Sequence, residues 1–126
     1  MGRNILFWAS TGLVAVWSAL AAVSYLTATP QAVAGFTRVG YPQQLRVLLS
    51  IAKPLGAIVL LLPGLPKLKE WAYAGFTFAW TAAFVAHYLA GDGVMSFAPV
   101  VLLGVLAVSY ATRPDSRRWS TTPAIA

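Results

Sequence analysis

Residues 5–26 read ILFWASTGLVAVWSALAAVSYL, an uncharged run that decides the fold. A helix rises 1.5 Å per residue, so about 20 apolar residues cross a hydrocarbon core of about 30 Å. Similar runs follow at residues 45–62, 71–90 and 97–111. Hydrophobic residues make up 59% of the chain, and its mean hydropathy is +0.72. A soluble protein of 126 residues could not bury so much apolar surface in one core. The sequence therefore predicts an integral membrane protein with four crossings.

The apolar runs predict helices rather than barrel strands. Backbone groups in a bilayer must pair within the protein, and barrel strands would alternate polar and apolar residues. Stretches such as Ala57–Leu62 are uniformly apolar. The first run is too long for the apolar region of a signal peptide, about 7–15 residues, so we expect it to be retained. The prediction is an all-α, single-domain transmembrane four-helix bundle with a polar tail at residues 115–126.

The longest connection, residues 27–42, predicts a short interfacial helix between the first and second spans. Pro30 suits the first turn of a helix, and Thr29 can cap it. Gly40, Tyr41 and Pro42 then turn the chain into the second span.

Basic residues are distributed unevenly between the two faces that four crossings would define. One face holds Arg3, Lys67, Lys69, Arg113, Arg117 and Arg118, and the other holds Arg38 and Arg46. Cytoplasmic loops are enriched in Lys and Arg, so we expect both termini in the cytoplasm and the protein in a bacterial cytoplasmic membrane. The net charge of +6 then reflects topology rather than nucleic-acid binding. Lys67 and Lys69 are expected to contact anionic lipid headgroups.

Lys53 lies about eight residues inside the second span, near the predicted bilayer midplane. A lysine there costs about 2.5–3.5 kcal/mol on insertion scales, so it should face the bundle interior or a partner. Arg46, Ser50 and Lys53 share one helical face, and Pro54 cannot donate to the Ser50 carbonyl. That carbonyl, the Ser50 hydroxyl and the ammonium are predicted to form one polar pocket. The alternative is a lysine that snorkels or binds backbone carbonyls without a further role.

The third span carries a stripe at helical spacing, made of Tyr73, Thr77, Trp80, Phe84 and His87. With Arg46 and Ser50, this stripe is a candidate ligand-binding surface, and helix packing is the alternative. Lys53, His87 and Asp92 are candidate catalytic residues, because an imidazole can exchange protons near neutral pH. Asp92 is predicted to pair with His87, Arg46 or Lys53, although its place between two glycines also suits an ordinary turn.

Other chemistry is poorly supported. The chain has no cysteine, which excludes disulfides, thiol nucleophiles and Cys-ligated metals. One histidine and three carboxylates at different depths give neither a two-His-one-carboxylate site nor a bis-His haem, so no metal is predicted. Glu70, near the start of the third span, is typical of a charge favoured by the helix dipole.

Several segments resemble the DoxX-like family of small four-helix membrane proteins. They are Gly40-Tyr41-Pro42, residues 52–58, residues 63–76, residues 87–92, Ser109-Tyr110 and Arg113-Pro114. In the family pattern a lysine stands at Lys53 and His-then-Gly-Asp at His87–Asp92, whereas an apolar residue often stands at Pro54. The resemblance implies a membrane subunit associated with thiosulfate:quinone oxidoreduction or quinol oxidation, which without cysteine would need a partner to handle electrons.

Three functions follow as hypotheses. The first is binding of a hydrophobic small molecule, quinone-like or terpenoid-like, between the helices, with a possible accessory role in a redox complex. The second is acid–base isomerisation or cyclisation of such a molecule, with no cofactor of its own beyond a quinone. The third is a purely structural subunit. Expected partners are membrane lipids, subunits of a redox complex or further copies of the chain.

Overall fold

The fold consists of five α-helices, described by a computed structural model over residues 1–119. They are α1 (Gly2–Leu26), α2 (Pro30–Arg38), α3 (Gln43–Leu61), α4 (Pro66–Leu89) and α5 (Ala98–Ala111). Short 3₁₀ turns occupy Gly93–Phe97 and Asp115–Arg117. The predicted all-α class is confirmed for these residues. Of the predicted polar tail at 115–126, residues 120–126 lie outside the described part.

The helices begin and end close to where the apolar runs do, with α4 as the main exception. It begins at Pro66 rather than at residue 71, because Pro66 takes a first-turn position and the following charged residues continue the helix. The turn before it uses positive φ angles at Gly64 (72°) and Leu65 (54°). The short helix between the first two spans is present as α2, with Thr29 Oγ1 accepting a hydrogen bond from the Ala32 amide at 3.2 Å.

The four long helices pack in a ring, in which α1 and α4 each contact both α3 and α5. The shorter α2 packs across α3 and α1 at one end, here called the α2 end. The opposite end, where α1 begins and α5 finishes, is the termini end. The buried apolar core is formed by Val14, Leu60, Tyr73, Phe76, Trp80 and Leu106.

The distribution of polarity is inverted relative to a soluble protein. Hydroxyl side chains are buried between helices, among them Thr11, Ser18 and Ser109. Large apolar side chains point outward instead, as in Phe78 (75% exposed) and Leu89 (79% exposed). Small polar residues at helix contacts and apolar residues outside are the pattern of a bundle in lipid.

Three helical segments are long and apolar enough to cross a membrane: Gly2–Leu26, Gln43–Leu61 and Gly93–Ala111. Within residues 1–119, α4 is not one of them, although its 24 residues have the length. Three of the four predicted crossings therefore have a matching segment, and the crossing by α4 stays a prediction.

At the termini end, two cations cover the C-terminus of α3. Lys69 is 1% exposed and its Nζ donates to the carbonyls of Val59 (2.7 Å) and Leu62. Arg117 donates to the carbonyls of Leu60 (2.8 Å), Leu61 (3.2 Å) and Leu62 (3.1 Å). The expectation that Lys69 contacts lipid headgroups is therefore wrong, because the free carbonyls of a helix end bind its ammonium first. Lys67 stays exposed and lies 5.8 Å from the centre of the Trp119 ring.

Glu70 also has a tertiary partner rather than a purely helical role. Arg113 Nη1 donates to Glu70 Oε1 at 2.5 Å, and the Tyr110 hydroxyl donates to Oε2 at 2.9 Å. The Arg113 guanidinium lies 3.6 Å from the centre of the Tyr110 ring. This group links α4 to the end of α5.

Candidate functional site at Lys53

Lys53 lies inside the bundle, as predicted, with only 8% of its surface exposed. Its ammonium lies 5.0 Å from the centre of the Tyr25 ring, a cation–π contact between α3 and the end of α1. Among residues 1–119, no carboxylate lies within ion-pair distance of its Nζ and no oxygen accepts a hydrogen bond from it. A buried charge is ordinarily paired, so this ammonium is unusual.

The predicted pocket of the Lys53 ammonium with the Ser50 hydroxyl and carbonyl does not form. The Ser50 hydroxyl turns back to the carbonyl of Val47 at 2.5 Å. Arg46 donates instead to Gln43 Oε1 (2.8 Å) and to the backbone carbonyl of Tyr25. The three residues share a helical face, but Ser50 binds a carbonyl of its own helix and Arg46 links α3 to α1. Of the three, only Lys53 has no hydrogen-bond partner among residues 1–119.

Three cavities meet at Lys53. An apolar groove of about 300 Å³ runs between α3 and α4, bordered by Leu49, Ala52, Gly56, Val59, Gly75 and Ala79. Its width results from small residues, since a Cβ built on Gly75 would meet no heavy atom within 4 Å. We call it the α3–α4 groove.

The other two cavities lie towards the α2 end and are more polar. One, of about 260 Å³, lies under α2 and is lined by Tyr25, Phe36, Tyr41, Lys53, Trp80 and His87. The second, of about 350 Å³, faces α5 and shares Tyr25, Lys53, Trp80 and His87, adding Arg38 and Asp92. Lys53 thus lies where the apolar α3–α4 groove meets two cavities whose linings are more polar than its own.

His87 and Asp92 form a hydrogen-bonded pair at the α2 end, one of the pairings predicted for Asp92. His87 Nδ1 contacts Asp92 Oδ2, and Arg38 forms an ion pair with Oδ1. The hydrogen bond from His87 lowers the pKa of Asp92 below its ordinary value, and the nearby Arg38 guanidinium lowers it further. The alternative pairings with Arg46 or Lys53 are wrong, because α2 places Arg38 next to the carboxylate and Arg38 occupies the position that either would need.

Trp80 provides a second unsatisfied polar group beside Lys53. Its side chain is 2% exposed and stacks on Phe76, with ring centres 5.1 Å apart. Its indole Nε1 is buried and has no hydrogen-bond acceptor among residues 1–119. Buried indole N–H groups usually find a partner, so Trp80 and Lys53 each carry an unpaired donor within residues 1–119, and both residues line the same two cavities.

The predicted stripe on α4 does not form one surface. Tyr73 donates to or accepts from Ser109 at 2.7 Å, and Thr77 lines a different cavity beside Tyr110. Phe84 packs against Tyr88 and Phe97. From the stripe, only Trp80 and His87 reach the Lys53 cavities. From Tyr73 to His87 the helix rises about 21 Å, so residues on one face meet different neighbours at different depths.

A sequence profile described as the DoxX-like family matches residues 9–109. The chain belongs to the DoxX-like family. No curated protein sequence and no solved structure matches it. Membership and the three apolar segments make this DoxX-like chain a membrane protein.

The family match covers the whole Lys53 site, including Tyr25, Arg38, His87 and Asp92. It ends before Arg113-Pro114, so the resemblance noted there lies outside the matched region. Of the two cations that cover the C-terminus of α3, Arg117 also lies beyond the match, whereas Lys69 lies within it. In this DoxX-like chain the matched region therefore includes all three cavities around Lys53.

Two site residues, Tyr25 and Arg38, have no distinctive sequence signal. Tyr25 is one of several aromatics near the ends of spans and would have been assigned to the membrane interface. Arg38 is the last residue of α2, and its partner Asp92 is far away in the sequence. At the α2 end the sequence places one carboxylate, Asp92, against several basic residues. This imbalance is the signal that could have linked Asp92 to Arg38.

Proposed function

We propose that this DoxX-like protein is a multi-pass membrane protein whose Lys53 cavities bind a hydrophobic small molecule, quinone-like or terpenoid-like. In this proposal α4 crosses the membrane with the other three long helices, as a four-helix bundle. The single observation that carries the proposal is a buried lysine without an ion-pair or hydrogen-bond partner among residues 1–119, at the meeting point of an apolar groove and two cavities with more polar linings.

The shape of the site suits an amphiphile. The α3–α4 groove has apolar walls for a chain or ring system, and the donors of Lys53 and Trp80 suit an oxygen at one end. Volumes of about 260–350 Å³ are at the lower limit of known small-molecule sites, and a ligand could also extend from the groove into lipid. Electron transfer to a bound quinone would need another protein, since the chain has no cysteine.

Ligand binding can be tested with the full chain in lipid nanodiscs. A short-chain ubiquinone and farnesol are the probes, and the readout is the thermal unfolding midpoint from tryptophan fluorescence together with native mass spectrometry. Gly75→Leu would fill the groove, and Gly104→Leu is the matched control, because a Cβ at either glycine meets nothing within 4 Å and Gly104 is outside the groove. We expect stabilisation of the wild type and of Gly104→Leu but not of Gly75→Leu. Absence of any bound or stabilising lipophile would refute the proposal.

A second candidate function is acid–base catalysis, which the His87–Asp92 pair favours. A carboxylate on Nδ1 fixes the tautomer and directs Nε2 towards a ligand as a proton acceptor. In an isomerisation, the proton taken from one carbon would return to another, so no cofactor is consumed. Deuterium exchange from D₂O into a bound enone tests this, and an unchanged exchange rate in His87→Gln would exclude it.

A further inference from the structure

We infer that the ligand's polar head is an oxyanion, a carboxylate or phosphate monoester, held by the Lys53 ammonium and the Trp80 indole N–H. This inference rests on the proposed function and narrows it from any hydrophobic molecule to an acidic amphiphile. The competing head group is a neutral oxygen, such as a quinone carbonyl or an alcohol.

The first argument is the distribution of charge. The chain has three acidic residues, and two of them lie at the termini end, where Glu70 pairs with Arg113 and Asp115 lies 3.9 Å from Arg3. The third, Asp92, is shared by Arg38 and His87. Within residues 1–119 no carboxylate therefore remains for Lys53.

Electrostatics makes an anion the best complement. The face of the Tyr25 ring stabilises the ammonium in part, but a buried cation in a low dielectric gains most from an opposite full charge. A neutral carbonyl could accept a hydrogen bond and would leave the charge uncompensated. Asp92 is no competitor, because its two oxygens are bound by His87 and Arg38.

The second argument is the pair of donors. The Trp80 Nε1 is buried and unpaired among residues 1–119, and the Trp80 side chain lines the same two cavities as Lys53. A carboxylate or phosphate has at least two oxygens and can accept from both donors, whereas a single carbonyl oxygen would have to serve both.

The third argument is the position of the groove relative to the head. Lys53 lies within the groove lining, between Leu49 and Val59, which are about 15 Å apart along α3. The groove's other wall is α4, with Gly75 and Ala79. An amphiphile with its head at Lys53 can therefore extend its apolar chain towards the termini end, with one side open to the acyl chains of the membrane.

The experiment compares probes that share a chain and differ only in their head: hexadecanoate, hexadecyl phosphate, hexadecanol and methyl hexadecanoate. The full chain is placed in phosphatidylcholine nanodiscs, and binding is measured by tryptophan fluorescence and native mass spectrometry. We expect at least one of the two anions to bind about tenfold or more tightly than the alcohol and the ester, as charge-assisted hydrogen bonds predict. The ratio between hexadecanoate and hexadecyl phosphate identifies which oxyanion the site prefers.

Variants locate the head. Lys53→Met should abolish the preference for anions, lowering the affinity for the anions much more than that for the alcohol, and Lys53→Arg should retain the preference. Trp80→Phe, which removes the N–H donor together with part of the indole ring, should reduce the preference several-fold. Lys67→Met is the matched control, since Lys67 is an exposed lysine at the termini end.

Two results would overturn the inference. Equal affinity for all four heads in the wild type would show a neutral head site while the proposed function stands. An anion preference that persists in Lys53→Met would place the anion elsewhere. If no probe binds at all, the proposed function fails together with the inference, and the wild-type measurement alone distinguishes these cases even where a variant does not fold.

Discussion

Arg117 is expected to be a major determinant of stability although it lies in the polar segment after α5. Its guanidinium donates to the carbonyls of Leu60 (2.8 Å) and Leu61 (3.2 Å), which have no other donor among residues 1–119. A third bond reaches Leu62, whose carbonyl also accepts from Lys69. Arg117→Met would therefore leave two carbonyls of a helix end unpaired.

The expected loss follows from those two bonds. A backbone group that loses its partner in a buried place costs about 1–3 kcal/mol, and Arg117 is 9% exposed. Its guanidinium also lies 4.8 Å from the centre of the Trp8 ring, a contact of about 0.5–1 kcal/mol. Because water at the bundle end can replace part of the lost bonding, we expect Arg117→Met to lower the free energy of unfolding by about 2–4 kcal/mol.

Arg118→Met is the matched control, with the same substitution one residue further along. Arg118 is exposed, donates over 3.1 Å and 3.4 Å to two carbonyls, and lies 3.7 Å from an Asp115 that is 92% exposed. Such contacts contribute about 0.5 kcal/mol or less. Reversible unfolding in mixed micelles of sodium dodecyl sulfate and dodecyl maltoside, followed by tryptophan fluorescence, gives both values. Equal losses in the two variants would refute the assigned role of Arg117.

Two further predictions concern packing and pH. Gly56→Ala should destabilise the protein by about 1–2 kcal/mol, because the new Cβ would lie 3.0 Å from Phe76 Cε2. Gly75→Ala is the control and should be neutral or stabilising, since its Cβ would meet nothing within 4 Å. Similar unfolding free energies for the two variants would contradict this prediction. The pKa of Asp92 is lowered in the folded state, so its stabilising effect is complete above its ordinary pKa of 3.8 and is lost as the pH falls through the lower folded value. Between about pH 6 and about pH 3 the wild type should lose more stability than Asp92→Asn, in which the other carboxylates titrate equally; parallel losses would exclude the effect.

The helices could be predicted because they depend on local patterns. Long apolar runs predicted α1, α3 and most of α5, and the Thr29-Pro30 pair predicted the start of α2. The inward direction of Lys53 also followed from the sequence, because the cost of exposing a charge to lipid leaves few alternatives.

The partners of the polar side chains could not be predicted, since a shared helical face does not define which neighbours the face meets. Arg46 and Ser50 lie on the Lys53 face but bind backbone carbonyls of α1 and α3. Asp92 was matched correctly to His87, which is close in sequence, but not to Arg38, which α2 brings from a distant segment. Local spacing determined the first pairing, and only the tertiary position of α2 determines the second.

The cations at the termini end and Lys53 inside the bundle differ in what they bind, and this difference argues for a ligand at Lys53. At the termini end, Lys69 and Arg117 are bound by the carbonyls of α3, and Arg113 is bound by Glu70. These cations stabilise the fold and leave little affinity for an outside molecule. Lys53 is as deeply buried as Arg113, but among residues 1–119 the face of the Tyr25 ring is the only group that its ammonium contacts electrostatically. An uncompensated charge in a membrane helix costs stability, so in the proposed function a bound ligand supplies the compensation, and the α3–α4 groove is the route by which that ligand would enter.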